Sequence, residues 1–575
     1  MKKRTYCNPL DLNYEYRVYE NGNKKGPICL EAADPVMVVF EGDYYLFSSI
    51  TKGYWVSDDM VSWQFIDCDD SKLPNIYSYA PAVMVLDGAI YFHQGLHDKK
   101  LYRNRTPKNP DTWELVTDRC YIGHDPFMYY DEIDDRVWAS YGCGVGEKEY
   151  IKVVELDCKT LEPVGEVHNC IMYDPKNRGW ERHFDEHIEE EGGWTEGSQI
   201  LRHGNKWYLT YSGYSLDKAY SNGAYVSDSP TGPYEYALNN PISHKNTGFI
   251  GGAGHGCLFE DKLGNWWNVT CASVHITHDF ERRINLFPAG FDEDGFLYVN
   301  TALGDYPITL PEGRRDHRQN HTPYMLLSKD CAVTASSEEK AMPENELYGD
   351  DLHDTQVPES RYVHIPEYAV DEDNRTLWAA ASRNPGEWIA LDLGRVCEVK
   401  AVQLNIHTYN LLTQDAKEKY HEYVIEYSEN GVHYDIMADT RGMRNFAPHA
   451  YYETEVCARY FKVTFYHVAG NGFAAVSGLR IFGMESCGKP DTVQNVHAVR
   501  GPEDKRNCTL IWDRVHNADG YIVRYGIAPD KLYNQYQVYG ERVEIRTLTL
   551  GISYYFRVDA FNGNGVTVGG VTGRL

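Results

Sequence analysis

Three acidic residues stand at the start of apolar, aromatic-rich segments in the first half of the sequence. Asp34 begins DPVMVVF, Asp125 begins DPFMYYD and Glu196 begins EGSQILR. Hydrolysis of a glycosidic bond by inversion needs a carboxylic acid that protonates the leaving oxygen and a carboxylate, about 6.5–9.5 Å away, that activates water. A third carboxylate can orient the acid and raise its pKa. If the fold brings these residues together, they predict acid–base hydrolysis.

The segments that carry these acids belong to a repeat. Each repeat has a short polar or Gly/Pro start, an apolar run, a turn such as EGD, LDGA or HGN, and a second aromatic strand. Four short strands in about 40–50 residues are typical of a β-propeller blade, and we therefore predict five blades. An array of β-sandwiches is the alternative. The five starting residues are Asp34, Ala80, Asp125, Glu196 and His255.

A propeller gives these starting positions a common location. The first strand of each blade lines the central axis, so residues at the mouths of the first strands should converge there. The longer third interval indicates an insertion, which we place at residues 168–194. Carboxylates grouped in this way on an apolar scaffold favour a functional site.

The composition excludes several classes of function. Lys and Arg total 56 and Asp and Glu total 84, for a net charge of −28, which argues against binding to a nucleic-acid backbone or an anionic membrane surface. The 14 cysteines show no CxxC spacing, which favours isolated thiols in a reducing compartment. Because no signal peptide is visible after Met1, we expect a cytoplasmic protein, or a secreted one if a leader was removed.

The second half of the sequence changes in pattern. Residues 307–321 are rich in proline and charge and predict a linker. Short strands at regular spacing then indicate β-sandwiches. We expect an all-β chain, with a five-bladed propeller over residues 1–318, a first sandwich over 325–486 and a second over 489–575.

The first half resembles glycoside hydrolase family 43, a family of five-bladed propellers. The resemblance covers roughly residues 5–315. It is carried by SDDMVSW (57–63), TEGS (195–198), SDSPTGPY (227–234), GHG (254–256) and RRINLFPAGFDED (282–294).

The resemblance implies a role for each matching residue. Asp34 would be the general base, Asp125 the pKa modulator and Glu196 the general acid. Arg282 would face the sugar or the acid, while Arg283, next on the strand, would point to the other side. His255 would lie at the channel centre, where the family often holds a calcium ion or a water cluster; a satisfied buried histidine is the alternative.

Aromatic side chains could form a wall on which a sugar ring stacks. The candidates are Trp55, Tyr79, Trp180 and Tyr214. Blade packing is the alternative role for each of them.

The second half resembles two other families. Residues 369–483 resemble the discoidin, or F5/8 type C, fold, which carbohydrate-binding modules of family 32 share. In such modules Asp371, Asp373 and Thr376 could hold a structural calcium, although Gly478 stands where an acidic ligand is usual. Sugar binding and buttressing of the propeller remain open. Residues 489–575, with LIW (510–512) and YYFRVDAFN (554–562), resemble a fibronectin type III spacer.

The resemblance implies an inverting, exo-acting hydrolase that removes terminal α-L-arabinofuranose or β-D-galactofuranose from oligosaccharides. A β-xylosidase is the alternative within the family, and a non-catalytic carbohydrate-binding scaffold is the alternative from another class. We expect an oligosaccharide or a polysaccharide side chain as partner, with neither nucleic acid nor membrane. We expect no required cofactor beyond a structural calcium; the oligomeric state is left open.

Overall fold

The computed structural model of the protein describes residues 5–21, 24–74, 76–96, 99–144, 150–183, 187–188, 193–213, 218–274, 280–339, 363–409, 411 and 418–575. In this part of the chain the regular structure is β-strand, with short 3₁₀ turns at Pro110–Thr112, Gly179–Glu181, Pro366–Ala369 and Ala469–Asn471. The expected all-β fold is confirmed. None of the helical segments described is long and apolar enough to span a membrane.

Five antiparallel four-stranded sheets follow one another along the first half. Their inner strands are rich in apolar and aromatic residues and are largely buried on both faces, as blades stacked between neighbours must be, while the outermost strands of the first four sheets are more exposed. The first blade contains β4 Ala33–Phe40, β5 Asp43–Ser49, β6 Gly53–Ser57 and β7 Gln64–Asp67. The second contains β8 Ala82–Leu86, β9 Ala89–His93, β10 Leu101–Asn104 and β11 Glu114–Thr117.

The other three blades repeat this order. The third contains β12 Phe127–Asp131, β13 Arg136–Tyr141, β14 Ile151–Leu156 and β15 Pro163–Ile171. The fourth contains β16 Glu196–His203, β17 Lys206–Ser212, β18 Asn222–Ser227 and β19 Glu235–Tyr236. The fifth contains β20 Cys257–Glu260, β21 Trp266–Ser273, β22 Arg282–Phe291 and β23 Leu297–Val299.

The blades form a closed ring. First strands of successive blades contact each other from β4 to β16, and β20 contacts β4. Between the fourth and fifth blades, the Gln199 side chain exchanges two hydrogen bonds with the backbone of Leu258, at 2.7 and 2.8 Å. The chain start closes the domain, because β1 Thr5–Tyr6 pairs with β24 Ile308–Thr309. A hairpin of β2 Glu15–Asn21 and β3 Lys24–Glu31 precedes the first blade. All five first strands therefore lie around one axis.

The second half contains two further β regions. An eight-stranded sheet holds β25 Met325–Leu326, β26 Ala332–Ala335, β27 Trp378–Ala379, β28 Trp388–Ile406, β29 Glu422–Ser428, β30 Asp435–Asp439, β31 His449–His467 and β32 Ala475–Met484. A three-stranded sheet of β33 His497–Arg500, β34 Cys508–Ile511 and β37 Arg542–Ile545 accompanies a four-stranded sheet of β35 Gly520–Gly526, β36 Asn534–Val538, β38 Tyr555–Asn562 and β39 Gly565–Thr567.

The three regions share a buried apolar cluster. Leu303 and Tyr306 come from the end of the propeller, Phe482 from the eight-stranded sheet, and Ile522 and Phe561 from the last region. Burial of large side chains of this kind stabilises by about 1.5–3 kcal/mol each. Such a shared core holds the three regions in fixed positions.

Polar contacts also join the three regions. Arg283 donates from Nε to His449 Nε2 at 3.0 Å, which joins the fifth blade to the eight-stranded sheet. Arg182, in the predicted insertion, pairs with Asp504 of the last region at 2.8 Å. Arg283 therefore points away from the propeller axis and away from Arg282, as the sequence analysis predicted.

Candidate active site

The residues at the blade starts share an unusual backbone conformation. Asp34, Ala80, Asp125 and His255 have φ of 50°, 48°, 47° and 40°, in the left-handed region that non-glycine residues seldom adopt. In the fourth blade the residue with this conformation is Gly197, at φ 56°. The prediction that Glu196 occupies the equivalent position is therefore wrong by one residue.

Steric crowding explains why residue 197 is a glycine. A Cβ at position 197 would lie 2.8 Å from the ring of His255, so only glycine fits between the fourth and fifth blades. Glu196 consequently comes one residue earlier than Asp34 and Asp125 do in their blades.

Hydrogen bonds from one blade to the next hold these strained starts. In each case a starting residue donates its N–H to a side chain on the second strand of the preceding blade. The bonds are Ala80 to Ser49 Oγ (2.6 Å), His255 to Ser212 Oγ (2.7 Å) and Asp34 to Cys271 Sγ (3.0 Å). The last of them links the fifth blade to the first.

Asp34 lies in a buried site surrounded by donors. Its Oδ1 is 3.1 Å from Arg282 Nη1 and 3.0 Å from His255 Nδ1, and its Oδ2 accepts from Ser49 Oγ at 2.5 Å. Burial by itself would raise the pKa of this carboxyl. The positive charges of Arg282 and His255 outweigh burial and hold the pKa well below its usual range. Asp34 is therefore a carboxylate at neutral pH.

Arg282 is itself fixed by a second carboxylate. Its Nη2 donates to Glu31 at 2.9 Å, and Glu31 also accepts from Arg17 Nη1 at 2.8 Å. Arg17 donates in turn to the Tyr79 hydroxyl. Arg282 was predicted to face the sugar or the acid, but its hydrogen bonds go to Asp34 and Glu31. Arg282 thus contacts the predicted base, Asp34.

Asp125 and Glu196 form a second group of carboxyls. Oxygen atoms of both lie within 4.8 Å of each other and of Cys143 Sγ. Burial raises the pKa of Asp125 to about 7, and the charges of Glu196 and Asp34 add to this effect while His255 opposes it. Asp125 therefore retains its proton up to about neutral pH.

Sequence reasoning missed the residues that hold Glu196. Tyr220 donates its hydroxyl to Oε1 at 2.5 Å, and Trp194 donates its indole N–H to Oε2 at 2.8 Å. Tyr220 is fully buried, and the ring packs against Gly254, where a Cβ would lie 2.4 Å away. No local motif marks either residue. Trp194 ends the predicted insertion, and its proximity to Glu196 in sequence was the one available signal.

His255 lies between the two groups. Burial would lower its pKa, but the charges of Asp34, Asp125 and Glu196 raise the pKa to about 9. The ring is therefore an imidazolium at neutral pH, and it supplies a positive charge that all three carboxylates feel. The calcium site predicted at His255 stays a prediction.

The predicted aromatic wall is only partly present. Trp55 and Trp180 are each 1% exposed; Trp55 packs against Phe65 in the first blade, and Trp180 packs against Tyr211 in the fourth. The stacking prediction is wrong for both tryptophans, because neither exposes a ring face.

The two tyrosines of the predicted wall differ. Tyr79 is partly exposed, and its ring lies 6.0 Å from that of Phe280. Phe280 in turn lies 5.2 Å beneath the Arg282 guanidinium. Tyr79 thus stands near the site, whereas Tyr214 falls outside the described residues.

The predicted calcium loop binds the propeller instead. Asp373 accepts from Lys218 Nζ at 3.0 Å, and Asp371 accepts from the Thr376 hydroxyl at 2.7 Å. Burial would raise the pKa of Asp373, but Lys218 and Arg375 lower it. The ammonium of Lys218 thus provides the cation that this carboxylate requires.

Packing against the propeller also explains why the loop lacks its usual acidic calcium ligand. A Cβ at Gly478 would lie 2.8 Å from the Phe249 ring of the propeller, so only glycine fits there. The neighbouring Glu372 is engaged by Arg480 at two oxygens, each at 2.8 Å. The loop oxygens are therefore committed to protein donors.

Comparisons with known proteins agree with this arrangement. Residues 26–297 match the family model described as "Glycosyl hydrolases family 43", and residues 353–479 match the "F5/8 type C domain" model. The first region is thus a family 43 glycoside hydrolase domain, and its substrate is a carbohydrate. The second is an F5/8 type C domain.

Solved structures with similar folds have low sequence identity. The family 43 protein BlXynB of Bacillus licheniformis is 14% identical, with 82% of this chain and 100% of that chain covered and a TM-score of 0.41. An endo-1,4-β-xylanase of Bacteroides thetaiotaomicron is 21% identical, with 47% and 95% covered and a TM-score of 0.40. An α-L-arabinofuranosidase of Clostridium thermocellum is 19% identical, with 46% and 93% covered and a TM-score of 0.34.

Proposed function

We propose that the protein hydrolyses glycosidic bonds with inversion at the anomeric carbon, with Asp34 as general base and Glu196 as general acid. The observation that carries this proposal is the contrast between the environment of Asp34 and that of Asp125. Asp34 is held ionised by Arg282 and His255, whereas burial and neighbouring carboxylates raise the pKa of Asp125, which lies against Glu196.

The reaction follows from these states. Asp34 accepts a proton from a water molecule, whose oxygen attacks the anomeric carbon on one face of the sugar. The bond from that carbon to the leaving oxygen breaks as Glu196 donates its proton to this oxygen. Asp125 lies against Glu196 as the proposed pKa modulator, and Tyr220 and Trp194 fix the orientation of Glu196.

For the substrate we propose a terminal furanosyl residue, α-L-arabinofuranose or β-D-galactofuranose, on an oligosaccharide. The support is that two segments, WERHFDEH (180–187) in the insertion and FERRINLFPAGFD (280–292), resemble those of exo-acting furanosidases. The contact of Trp194, the last insertion residue, with Glu196 brings the insertion to the site. A β-xylosidase uses the same acid and base, so the site chemistry alone does not separate the two sugars.

A carbohydrate-binding scaffold without turnover needs none of this arrangement. A binder gains nothing from a buried carboxyl pair with a raised pKa, because the like charges and the burial both cost free energy. The pair therefore favours catalysis over binding alone.

We further propose that the second and third regions serve as buttresses for the propeller. Lys218 of the propeller pairs with Asp373, and Arg506 of the last region donates to the Pro175 carbonyl at 2.7 Å. The three- and four-stranded sheets of the last region support a fibronectin type III assignment. Trp512, 6% exposed, lies in the core between them.

A hydrolysis panel tests the function. Purified protein is assayed against para-nitrophenyl α-L-arabinofuranoside, β-D-galactofuranoside and β-D-xyloside, and the anomer formed first is identified by proton NMR. We expect release from one of the furanosides, with inversion. Release from the xyloside alone would favour the xylosidase, release from none would favour the binding scaffold, and retention would contradict the role of Asp34.

A further inference from the structure

A thiol lies against the carboxyl pair of the site. Cys143 Sγ is 3.6 Å from Glu196 Oε2, and the sulfur and the carboxyl oxygens of Asp125 and Glu196 are all within 4.8 Å of one another. A thiol is a weak hydrogen-bond donor. It stabilises a neighbouring carboxylate less than a hydroxyl at the same place would.

The backbone fixes this thiol from both sides. Gly142 donates its N–H to the His124 carbonyl at 2.9 Å, next to Asp125. Gly144 and Thr195, next to Glu196, exchange two backbone hydrogen bonds at 3.0 and 3.2 Å. Cys143 is thereby held between the third and fourth blades.

The flanking glycines allow this geometry. Gly142 and Gly144 have φ of 149° and 151°, values that side-chain-bearing residues rarely adopt. A Cβ at Gly142 would also lie 2.5 Å from the Tyr150 carbonyl oxygen. The GCG segment is therefore built to place one side chain at the pair.

We propose that Cys143 is a positioning residue that, as a weak donor against the Asp125–Glu196 pair, sets the pH at which this pair ionises. This inference rests on the proposed function, in which Glu196 delivers a proton to the leaving oxygen. The hydrogen bond from the thiol favours ionisation of Asp125, but it is weaker than one from a hydroxyl would be. A hydroxyl in its place would stabilise the charged form.

The other groups that face the Asp125–Glu196 pair are the same in the wild type and in variants at residue 143. His255 favours ionisation of Asp125, Asp34 opposes it, and Tyr220 donates to Glu196. Changes confined to residue 143 leave these three in place, so a shift in the titration of the pair reports on the thiol.

The test compares pH profiles of kcat/KM for wild type, Cys143→Ser and Cys143→Ala on the best substrate of the panel. We expect the alkaline limb to move to lower pH by about 0.5–1 unit in the serine variant, because a hydroxyl stabilises the carboxylates more strongly. The alanine variant, which lacks a donor, should move the limb to higher pH. Cys457→Ser, an exposed thiol in the second region, is the matched control and should leave the limb unchanged.

Opposite shifts cannot come from a merely structural role, which would lower activity without moving the limb. Unchanged limbs in both variants, or shifts in the same direction, would overturn the proposal.

A second measurement does not need activity. Burial, Asp125 and Glu196 raise the pKa of the Cys143 thiol, so carbamidomethylation of Cys143 by iodoacetamide, followed by peptide mass spectrometry, should be slow at pH 8. The Asp125→Asn variant should accelerate it several-fold, while modification of Cys457 stays constant. An unchanged rate at Cys143 would overturn the contact on which the inference depends, even if the panel shows no hydrolysis and the proposed function itself fails.

Discussion

Asp34 and Asp125 occupy the same position in two blades, with the same left-handed backbone and a proline after each, yet their carboxyls have opposite environments. Asp34 contacts two cationic side chains, Arg282 and His255. Asp125 instead lies beside a second carboxyl and a thiol. The pKa of Asp34 is accordingly lowered and that of Asp125 is raised to about 7.

The comparison shows that repeat position determines where a side chain points, whereas the neighbouring blade determines its protonation. Arg282 reaches Asp34 from the fifth blade, and Glu196 reaches Asp125 from the fourth. The propeller can therefore place an ionised and a protonated carboxyl near the same axis without any change in backbone geometry. Loss of the cations around Asp34 should impair the proposed base, and loss of the Asp125–Glu196 pair should impair the proposed acid.

The largest effect should come from Glu196→Gln, which removes the proposed acid. We expect kcat to fall by about 10²–10⁴-fold on an oligosaccharide and by much less on a para-nitrophenyl glycoside, whose leaving group needs little protonation. Steady-state kinetics on both substrates measure the difference. Glu260→Gln, an exposed residue at the far end of β20, should behave as wild type; equal losses on both substrates would contradict the acid role.

Arg282→Lys should weaken the proposed base, Asp34. A single ammonium cannot bridge Glu31 and Asp34 as the guanidinium does. We expect kcat/KM to fall by about 10–100-fold and its acidic limb to move to higher pH, because Asp34 loses part of the charge that holds its pKa down. A drop in activity without movement of the acidic limb would separate Arg282 from the ionisation of Asp34.

Asp125→Asn should have a smaller effect on stability, and its sign depends on pH. The pKa of Asp125 is raised from 3.8 to about 7 in the folded protein, so this residue costs stability progressively as the pH rises from about 4 to above 7. Asparagine does not ionise, so the variant should gain a few degrees in Tm over wild type at pH 8 and little at pH 4.

Melting curves across this pH range measure the difference, with the exposed Asp530→Asn as a control that should show no such trend. A Tm difference that is the same at pH 4 and pH 8 would contradict the burial of a charged Asp125.

The smallest effect should follow from calcium removal. Lys218 and Arg375 already neutralise Asp373, and Glu372 is paired with Arg480. We expect the Tm to change by less than about 1 °C between EDTA and millimolar calcium. A rise of several degrees with calcium would show that the loop binds the ion in spite of these pairs.

The sequence predicted the parts of the site that depend on the repeat. Asp34, Asp125 and His255 could be placed because each begins a strand with a regular pattern, and Arg282 because a resembling segment carries it. The offset at Glu196 was not predictable, since it depends on the close approach of the His255 ring to Gly197. Turn patterns do not encode contacts between blades.

Long-range contacts account for the other differences. Trp55 and Trp180 are large aromatic residues whose burial depends on neighbouring strands rather than on their own segments. Lys218 and Asp373 are 155 residues apart in the sequence, and their pairing arises only when the second region docks. Tyr220 and Cys143 likewise become part of the site through packing between blades.

The pH dependence of kcat/KM for the wild-type enzyme tests the central claim most directly, because both halves of the site appear in one profile. The expected profile has an alkaline limb near pH 7, from loss of the proton of Asp125 beside Glu196, and no acidic limb down to about pH 4. An acidic limb between about pH 4 and 5, the range of an ordinary carboxyl, or an alkaline limb absent up to pH 9, would contradict the assignment of an ionised base and a protonated acid.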